Sequence, residues 1–180
     1  MDDKKKRLRE ILLERAIKFG DFTLVSGQKS NYYINCRMAT LDSEGLYLIA
    51  ELMLDKLEGI QCDAIGGLTL GADPIIGGMV ALAHKRGRKL AGFIVRKETK
   101  DHGTKSPIEG PLGDGMKVAI IEDVATTGGS ALKAIEAAKD FGCEIAKVLV
   151  IVDRRQGAEE EFRDMHIPFD PIFRKEELGL

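Results

Sequence analysis

Cysteine is scarce in this chain, and its spacing argues against disulfide or metal chemistry. The 180 residues include three cysteines, Cys36, Cys62 and Cys143, and no two of them form a C-x-x-C pair. An odd number of widely spaced cysteines makes neither a disulfide framework nor a zinc site. A reducing, cytoplasmic compartment is therefore expected.

Long apolar runs and a strong excess of charge are also missing. No stretch approaches the roughly 20 apolar residues that cross a membrane, and the first residues do not resemble a secretory signal. The formal net charge of -2 argues against broad nucleic-acid binding, which usually requires a basic face. Because 44% of the residues are hydrophobic and no low-complexity linker divides them, we expect one domain over residues 1–180.

Two common phosphate-binding motifs are absent, the nucleoside-triphosphate loop G-x-x-x-x-G-K-[ST] and the dinucleotide fingerprint G-x-G-x-x-G. A different glycine-rich segment, MKVAIIEDVATTGGS, occupies residues 116–130. The four apolar residues 118–121 predict a strand buried on both faces, as in a parallel sheet covered by helices. Helical spacing after Ser130, with a stop at Gly142, predicts that a helix follows the loop.

The polar residues of this segment suit a sugar phosphate. A loop that opens a helix presents unpaired backbone N–H groups at the positive end of the helix dipole, where phosphate binds. Glycines at 128 and 129 permit close approach, and the Thr and Ser hydroxyls of residues 126–130 can donate to phosphate oxygens. The carboxylates of Glu122 and Asp123 can accept hydrogen bonds from sugar hydroxyls or hold a hydrated Mg²⁺.

Two other regions carry charge suited to an anionic ligand. The long loop 96–115 concentrates positive charge near its start, which suits a polyanion such as pyrophosphate, although a solvated basic loop is the alternative. Arg154 follows a predicted buried strand at 146–152, and so is expected at the same sheet edge as loop 126–130. Its guanidinium can bind a carboxylate through two parallel hydrogen bonds.

Three motifs resemble those of a known enzyme family. The segment EDVATTGGS, residues 122–130, resembles the 5-phosphoribosyl 1-pyrophosphate (PRPP) motif of type I phosphoribosyltransferases. FTLVSGQKSNYYIN at 22–35 and RKETKDHG at 96–103 resemble segments of orotate phosphoribosyltransferases. The resemblance implies an α/β fold with a mostly parallel central sheet flanked by helices, and a small hood built mainly from residues 1–40 with the C-terminal segment.

The resemblance also implies an activity, the transfer of the phosphoribosyl group from PRPP to orotate. The products would be orotidine 5′-monophosphate and pyrophosphate, in pyrimidine nucleotide synthesis. Mg²⁺ is the expected cofactor, carried by PRPP near Glu122 and Asp123 with no protein ligand assigned. A homodimer is expected in which loop 97–105 contributes to the neighbouring active site, with neither nucleic acid nor membrane as a partner.

Residues matching the family's motifs fall into three sets. The expected catalytic residues are Lys100, His102, Glu122 and Asp123. The expected PRPP-binding residues are Arg96, Lys97, Lys100, His102, Glu122, Asp123, Val124, Ala125, Thr126, Thr127, Gly128, Gly129 and Ser130. The expected orotate-binding residues are Tyr33, Ile34, Thr126 and Arg154.

The sequence departs from the family pattern at three positions, and two other functions stay open. Val25 and Gly71 stand where some relatives have a lysine, and Glu122 replaces a more usual Asp. One alternative is a purine phosphoribosyltransferase, which Arg154 disfavours because an uncharged purine offers no carboxylate. The other is a PRPP-sensing, nucleic-acid-binding regulator that has lost catalysis, which the charge balance disfavours.

Residue spacing predicts the remaining elements. An amphipathic helix is expected to reach Phe19 and end at Gly20, followed by two short strands within 22–37 around a turn at 26–30. Glycines 77 and 78 predict close packing of the helix that carries them. Further helices are expected at 41–57 and 74–84 and after 158, strands at 63–67, 90–95 and 146–152, and an unassigned segment at 167–173 before a charged tail.

Overall fold

A computed structural model describes residues 3–23, 29–97 and 107–180. Among these described residues the main element is a six-stranded sheet with strand order β5-β4-β3-β6-β7-β8, in which only the β4–β5 pair is antiparallel. The strands are β3 (Ala64–Leu68), β4 (Ala91–Val95), β5 (Ile108–Glu109), β6 (Lys117–Ala125), β7 (Glu144–Asp153) and β8 (Phe169–Arg174). The predicted mostly parallel α/β sheet is confirmed.

Helices cover both faces of this sheet, and a separate hairpin precedes it. The hairpin strands are β1 (Ile17–Thr23) and β2 (Lys29–Ile34), which pair antiparallel. The helices are α1 (Asp3–Ile11), α2 (Arg37–Thr40), α3 (Ser43–Asp55), α4 (Asp73–Lys85), α5 (Gly129–Asp140) and α6 (Ala158–Asp164). None of the helices in the described ranges combines the length and apolar character needed to span a membrane.

Alternating side chains of β6 divide the core into two layers. Ala119 and Ile121 join a cluster with residues of α1, α3 and α4 on one face. Val118 and Ile120 join a second cluster with residues of α5 and α6 on the other face. The continuous apolar run therefore forms a strand buried on both sides, as predicted, and places its carboxyl end between the two layers.

The N-terminal segment differs from the sequence prediction. After α1 the chain makes a π-helical turn over Leu12–Ala16 and then enters β1, so the predicted helix extending to Phe19 and Gly20 was wrong. Both residues lie in β1, and Phe19 is exposed. The strand begins at Ile17 because this residue pairs with Ile34 of β2, and strand pairing outweighs the local helical spacing. The predicted turn lies mostly outside the described residues, and Lys29 and Ser30 already belong to β2.

The helices α3 and α4 lie within two residues of their predicted bounds and pack against each other. Gly78 is in close contact, because a methyl group built on it would lie 2.8 Å from Cδ1 of Leu46. The same prediction for Gly77 was wrong, since a methyl group there would have no atom of the neighbouring described elements within 4 Å. A short helix after residue 158 is confirmed as α6, and the unassigned segment 167–173 forms most of β8.

Candidate active site

The loop between β6 and α5 forms the floor of a cleft of about 800 Å³, called here the first cleft. The helix begins at Gly129, one residue before its predicted start, and Leu132 N donates to Gly128 O at 2.9 Å. Gly128 has a φ of 88°, and a methyl group there would meet the Phe162 ring at 2.9 Å. A side chain is therefore disfavoured at this turn by both conformation and space.

The first cleft brings together most of the residues that the sequence assigned to PRPP and to the base. Arg154 comes from the end of β7 and Tyr33 from β2, so three separate elements meet here. Lys133, in the first turns of α5, also lines the cleft and was missed by sequence reasoning, although its place just after the loop could have suggested it. The lining residues are Phe22, Thr23, Tyr33, Glu122, Val124, Ala125, Thr126, Thr127, Gly128, Gly129, Ser130, Ala131, Lys133 and Arg154.

A second cleft of about 310 Å³ adjoins the first and shares Glu122, Val124, Ser130 and Tyr33 with it. It contains the β3–α4 loop, which lies next to the acidic pair of β6. The lining residues are Tyr33, Ile34, Asn35, Arg37, Leu68, Thr69, Leu70, Gly71, Lys97, Glu122, Asp123, Val124 and Ser130. The two clefts together offer an elongated site that ends in a glycine-rich loop on one side and charged side chains on the other.

Glu122 and Asp123 lie within the last part of β6 rather than after it, because the strand continues to Ala125. Glu122 is 7% exposed, and its Oε2 atom has no hydrogen-bond partner in the described structure. Burial, followed by the adjacent Asp123 carboxyl, raises the pKa of Glu122 to about 9. The Glu122 side chain is thus neutral at neutral pH in the ligand-free protein, and can donate a hydrogen bond as well as accept one.

Asp123 is held in place from two sides. Its Oδ1 atom accepts a hydrogen bond from Val124 N at 2.8 Å, which fixes the carboxylate against its own strand. On the other side, a methyl group on Gly71 would lie 2.7 Å from this Oδ1 atom. The β3–α4 loop therefore approaches Asp123 too closely for any side chain at position 71 unless one of the two moves.

Arg154 is the buried cation of the first cleft, with 6% of its surface exposed. Its backbone N–H donates to Ala125 O at 2.9 Å, which ties the end of β7 to the start of the β6–α5 loop. Nη2 donates to Ser30 Oγ at 3.3 Å, and Nε has no partner in the described structure. A buried guanidinium with an unused donor suits an anionic ligand group.

The basic residues at the start of loop 96–115 divide between two environments. Arg96 forms an ion pair with Glu109 of β5, at 3.6 Å between Nη1 and Oε1. Lys97 instead lines the second cleft of its own chain. Its charge favours the ionised form of Glu122 and so partly offsets the rise in the pKa of that group.

Lys100 and His102 lie outside the described residues, as does Val25. Arg155, next to Arg154, is exposed and pairs with Glu159 at 3.4 Å.

The acidic pair suits a metal ion that is carried by a ligand better than one held by the protein alone. Within residues 3–23, 29–97 and 107–180, no group of three or more His, Cys, Asp or Glu side chains is arranged to bind a metal ion. Mg²⁺ keeps several waters and is commonly bound through one or two carboxylates together with phosphate oxygens. Asp123, and Glu122 with its unpartnered Oε2 once its proton is lost, are the carboxylates that fit such an ion.

The fold, the glycine-rich loop at a helix start and the acidic pair above it define the phosphoribosyltransferase class. A family model described as phosphoribosyl transferase domain matches residues 43–168. Orotate phosphoribosyltransferase of Streptomyces coelicolor is 41% identical over 181 residues, covering 100% of both chains. The chain therefore belongs to the orotate phosphoribosyltransferase family.

Solved structures agree with this assignment. Mycobacterium tuberculosis orotate phosphoribosyltransferase in complex with Fe(III) dicitrate superposes with a TM-score of 0.87 at 36% identity, covering 98% of this chain and 99% of that one. The same enzyme in complex with PRPP has a TM-score of 0.83 at 33% identity and the same coverage. The similarity thus extends along nearly the whole chain.

Proposed function

We propose that the protein transfers the phosphoribosyl group of PRPP to orotate, giving orotidine 5′-monophosphate and pyrophosphate in pyrimidine biosynthesis. The observation that carries this proposal is that Arg154 and the loop 126–130 line one cleft. A site for phosphate and a site for a carboxylate are adjacent there. Such a pair of sites suits a phosphorylated sugar and a nucleobase that carries a carboxylate group. The names of the relatives support the same reaction.

The sugar phosphate occupies the glycine-rich end of the first cleft. Its oxygens accept hydrogen bonds from the backbone N–H groups at the start of α5 and from the hydroxyls of Thr126, Thr127 and Ser130. The exposed Lys133 adds positive charge at the same end. The ribose ring then extends towards Glu122 and Asp123, whose carboxyl groups bind its hydroxyl groups.

Orotate binds at the other end of the first cleft, beneath the hairpin. Its carboxylate pairs with the guanidinium of Arg154, while backbone groups of Tyr33 and Ile34 and the side chain of Thr126 contact the ring. Uracil lacks this carboxylate, and uncharged purines lack it too. Binding either would leave the buried Arg154 without a counterion, which disfavours them.

The reaction breaks the bond between the anomeric carbon and pyrophosphate, forms a bond to a ring nitrogen of orotate, and releases the proton of that nitrogen. The sugar becomes positively charged as the bond breaks, and the leaving group becomes more negative. Asp123 stabilises the positive sugar, and Lys97 stabilises the departing diphosphate in the second cleft. Lys100 and His102 of the neighbouring subunit's loop are proposed to reach the same diphosphate and are candidates to protonate pyrophosphate, whereas Arg96 contributes through its charge while paired with Glu109.

Mg²⁺ is the proposed cofactor, and Glu122 and Asp123 are the residues that would lie near it when PRPP carries it. It supplies positive charge to the leaving group when bound. A cytoplasmic homodimer is also proposed, in which Lys97 stays in the second cleft of its own chain and the rest of loop 97–105 reaches the neighbouring active site. Exposed apolar side chains in the α2–α3 region and the β3–α4 loop, Met38, Leu41, Tyr47 and Leu70, support a subunit contact on this side.

The proposal is tested by following orotate consumption at its ultraviolet band with PRPP and Mg²⁺, in parallel with adenine and hypoxanthine. Consumption of orotate alone is expected. Use of a purine instead would favour the purine phosphoribosyltransferase alternative. Retention of RNA or DNA without pyrophosphate release would favour the nucleic-acid-binding regulator.

A further inference from the structure

The second cleft holds an unusual balance of charge for a diphosphate site. Its β3–α4 portion, residues 68–71, carries no charged side chain, and its floor carries the carboxyl groups of Glu122 and Asp123. Two cations face them from other elements, Lys97 after β4 and Arg37 at the start of α2. Among the described residues that line this cleft, these two side chains supply the positive charge for a bound diphosphate.

The β3–α4 loop of this chain provides no cation at its nearest point, because residue 71 is a glycine. At Gly71, even a methyl group would lie 2.7 Å from Oδ1 of Asp123, so a longer side chain at this position would displace the carboxylate. The loop contributes backbone groups and space instead. The missing charge has to come from another wall of the cleft, where Arg37 lies.

Arg37 is placed and oriented for this purpose. It follows β2 closely, and its Nε donates to Asn35 Oδ1 at 3.2 Å, so that the neighbouring side chain holds the guanidinium at the cleft wall. No ion pair joins Arg37 to an acidic residue within the described ranges, in contrast to Arg15 and Arg86, which pair with carboxylates at 2.8 and 2.7 Å. Its Nη1 and Nη2 groups are left to bind a ligand.

We propose that Arg37 is a binding residue for the diphosphate of PRPP and for the pyrophosphate product. The guanidinium donates two hydrogen bonds to phosphate oxygens, in the planar geometry that favours arginine over lysine. Lys97 binds the same group from another side of the cleft. The inference rests on the proposed function, because it assigns one part of the PRPP molecule to one wall of that site.

The test measures binding of pyrophosphate and of ribose 5-phosphate by calorimetry, each with Mg²⁺, to the full chain and to Arg37→Gln. Ribose 5-phosphate carries the sugar phosphate without the diphosphate and so probes the first cleft alone. Loss of charge-assisted hydrogen bonds is expected to weaken pyrophosphate binding about ten- to hundredfold and to leave ribose 5-phosphate within about twofold. Arg37→Lys is expected to bind pyrophosphate with an affinity between those of the unmodified protein and Arg37→Gln. Arg163 is an exposed arginine on α6, and Arg163→Gln is the control that is expected to leave both affinities unchanged.

Unchanged pyrophosphate binding in Arg37→Gln would overturn the inference, as would an equal loss for both ligands. Retained ribose 5-phosphate binding shows that the variant is folded. Failure of the proposed function is a separate result, because the unmodified protein would then leave orotate unconsumed with PRPP and Mg²⁺. If the unmodified protein consumes orotate and Arg37→Gln binds pyrophosphate normally, only the role of Arg37 is refuted.

Discussion

The guanidinium carbon of Arg154 lies 4.8 Å from the centroid of the Tyr32 ring. Tyr32 is 7% exposed, and its ring covers the guanidinium while Ser30 accepts a hydrogen bond from Nη2. A cation over a buried aromatic face is stabilised electrostatically without using its N–H donors. The hairpin thus fixes Arg154 and leaves donor groups for a ligand in the cleft.

Replacing the Tyr32 ring should weaken binding of the base. Tyr32→Leu is expected to raise the KM for orotate about three- to thirtyfold, because the cation–π contact of about 0.5–2 kcal/mol is lost and Arg154 becomes less ordered. Tyr32→Phe keeps the ring and is the matched control. Steady-state kinetics with each substrate varied in turn give the KM values for orotate and PRPP. An equal KM for orotate in Tyr32→Leu and Tyr32→Phe would contradict the role of the ring.

Asp153 should act on orotate binding through the backbone next to Arg154. Its side chain is fully buried, and Oδ1 accepts from Arg155 N at 2.8 Å, which supports the left-handed φ of 52° at Arg155. Asp153→Ala removes this hydrogen bond and is expected to raise the KM for orotate about five- to tenfold, with that for PRPP nearly constant.

Asp153→Asn keeps the acceptor oxygen and should retain orotate binding. Burial disfavours the charged form and raises the pKa of Asp153, so the neutral amide of Asn suits this buried position. Equal increases in both KM values for Asp153→Ala would indicate general disruption of the fold rather than positioning of Arg154. Circular dichroism melting curves of both variants separate these two cases.

Stability should fall as pH rises because of Glu122. Its folded pKa of about 9 lies above the unfolded value of about 4.3, so the folded state holds one more proton between these limits. The free energy of unfolding therefore decreases with pH across this window, by at most about 1.4 kcal/mol per pH unit for this group. Glu122→Gln removes the dependence.

The measurement is urea unfolding of the ligand-free protein and of Glu122→Gln at about pH 6, 7 and 8. These pH values lie between the unfolded and the folded pKa of Glu122. The variant is expected to gain stability relative to the parent as pH increases. A difference between the two proteins that is constant over this range would show that Glu122 is already ionised at neutral pH.

Space at Gly71 should control PRPP binding. Gly71→Ala places a methyl group against the Asp123 carboxylate and is expected to weaken PRPP about tenfold or more, because either the loop or the carboxylate must move. Gly77→Ala is the control, since a methyl group there meets no neighbouring described element within 4 Å. Fluorescence or calorimetric titration with PRPP gives the affinity of each variant. Normal affinity in Gly71→Ala would show that the contact between the added methyl group and the Asp123 carboxylate is relieved by a small movement.

Local sequence patterns predicted the centre of the fold better than its margins. The run 118–121 identifies β6 because a strand buried on both faces needs only apolar residues, and the glycines after it identify the helix start. The hairpin was partly missed because Phe19 satisfies helical spacing, and only pairing with β2 reveals the strand. Strand β8 contains Pro171, which suits an edge strand but weakens any strand pattern.

The site was predictable where a motif carries it and not where distant segments meet. The loop 126–130 and Arg154 follow from their positions at strand ends. The approach of Gly71 to Asp123 and the place of Arg37 in the second cleft depend on how loops from separate strands pack, which no local pattern encodes. The raised pKa of Glu122 likewise results from burial by residues remote in sequence.

Arg154 is proposed to select the base, while the loop 126–130 is proposed to bind the sugar phosphate. Ligand binding to Arg154→Ala tests this division of roles most directly. Titration of this variant with orotate and with PRPP, each beside the unmodified protein, gives both affinities. Loss of hydrogen bonds to a charged group predicts orotate binding that is weaker by about ten- to hundredfold or more, with PRPP binding within about twofold. Equal losses for the two ligands, or unchanged orotate binding, would contradict the account.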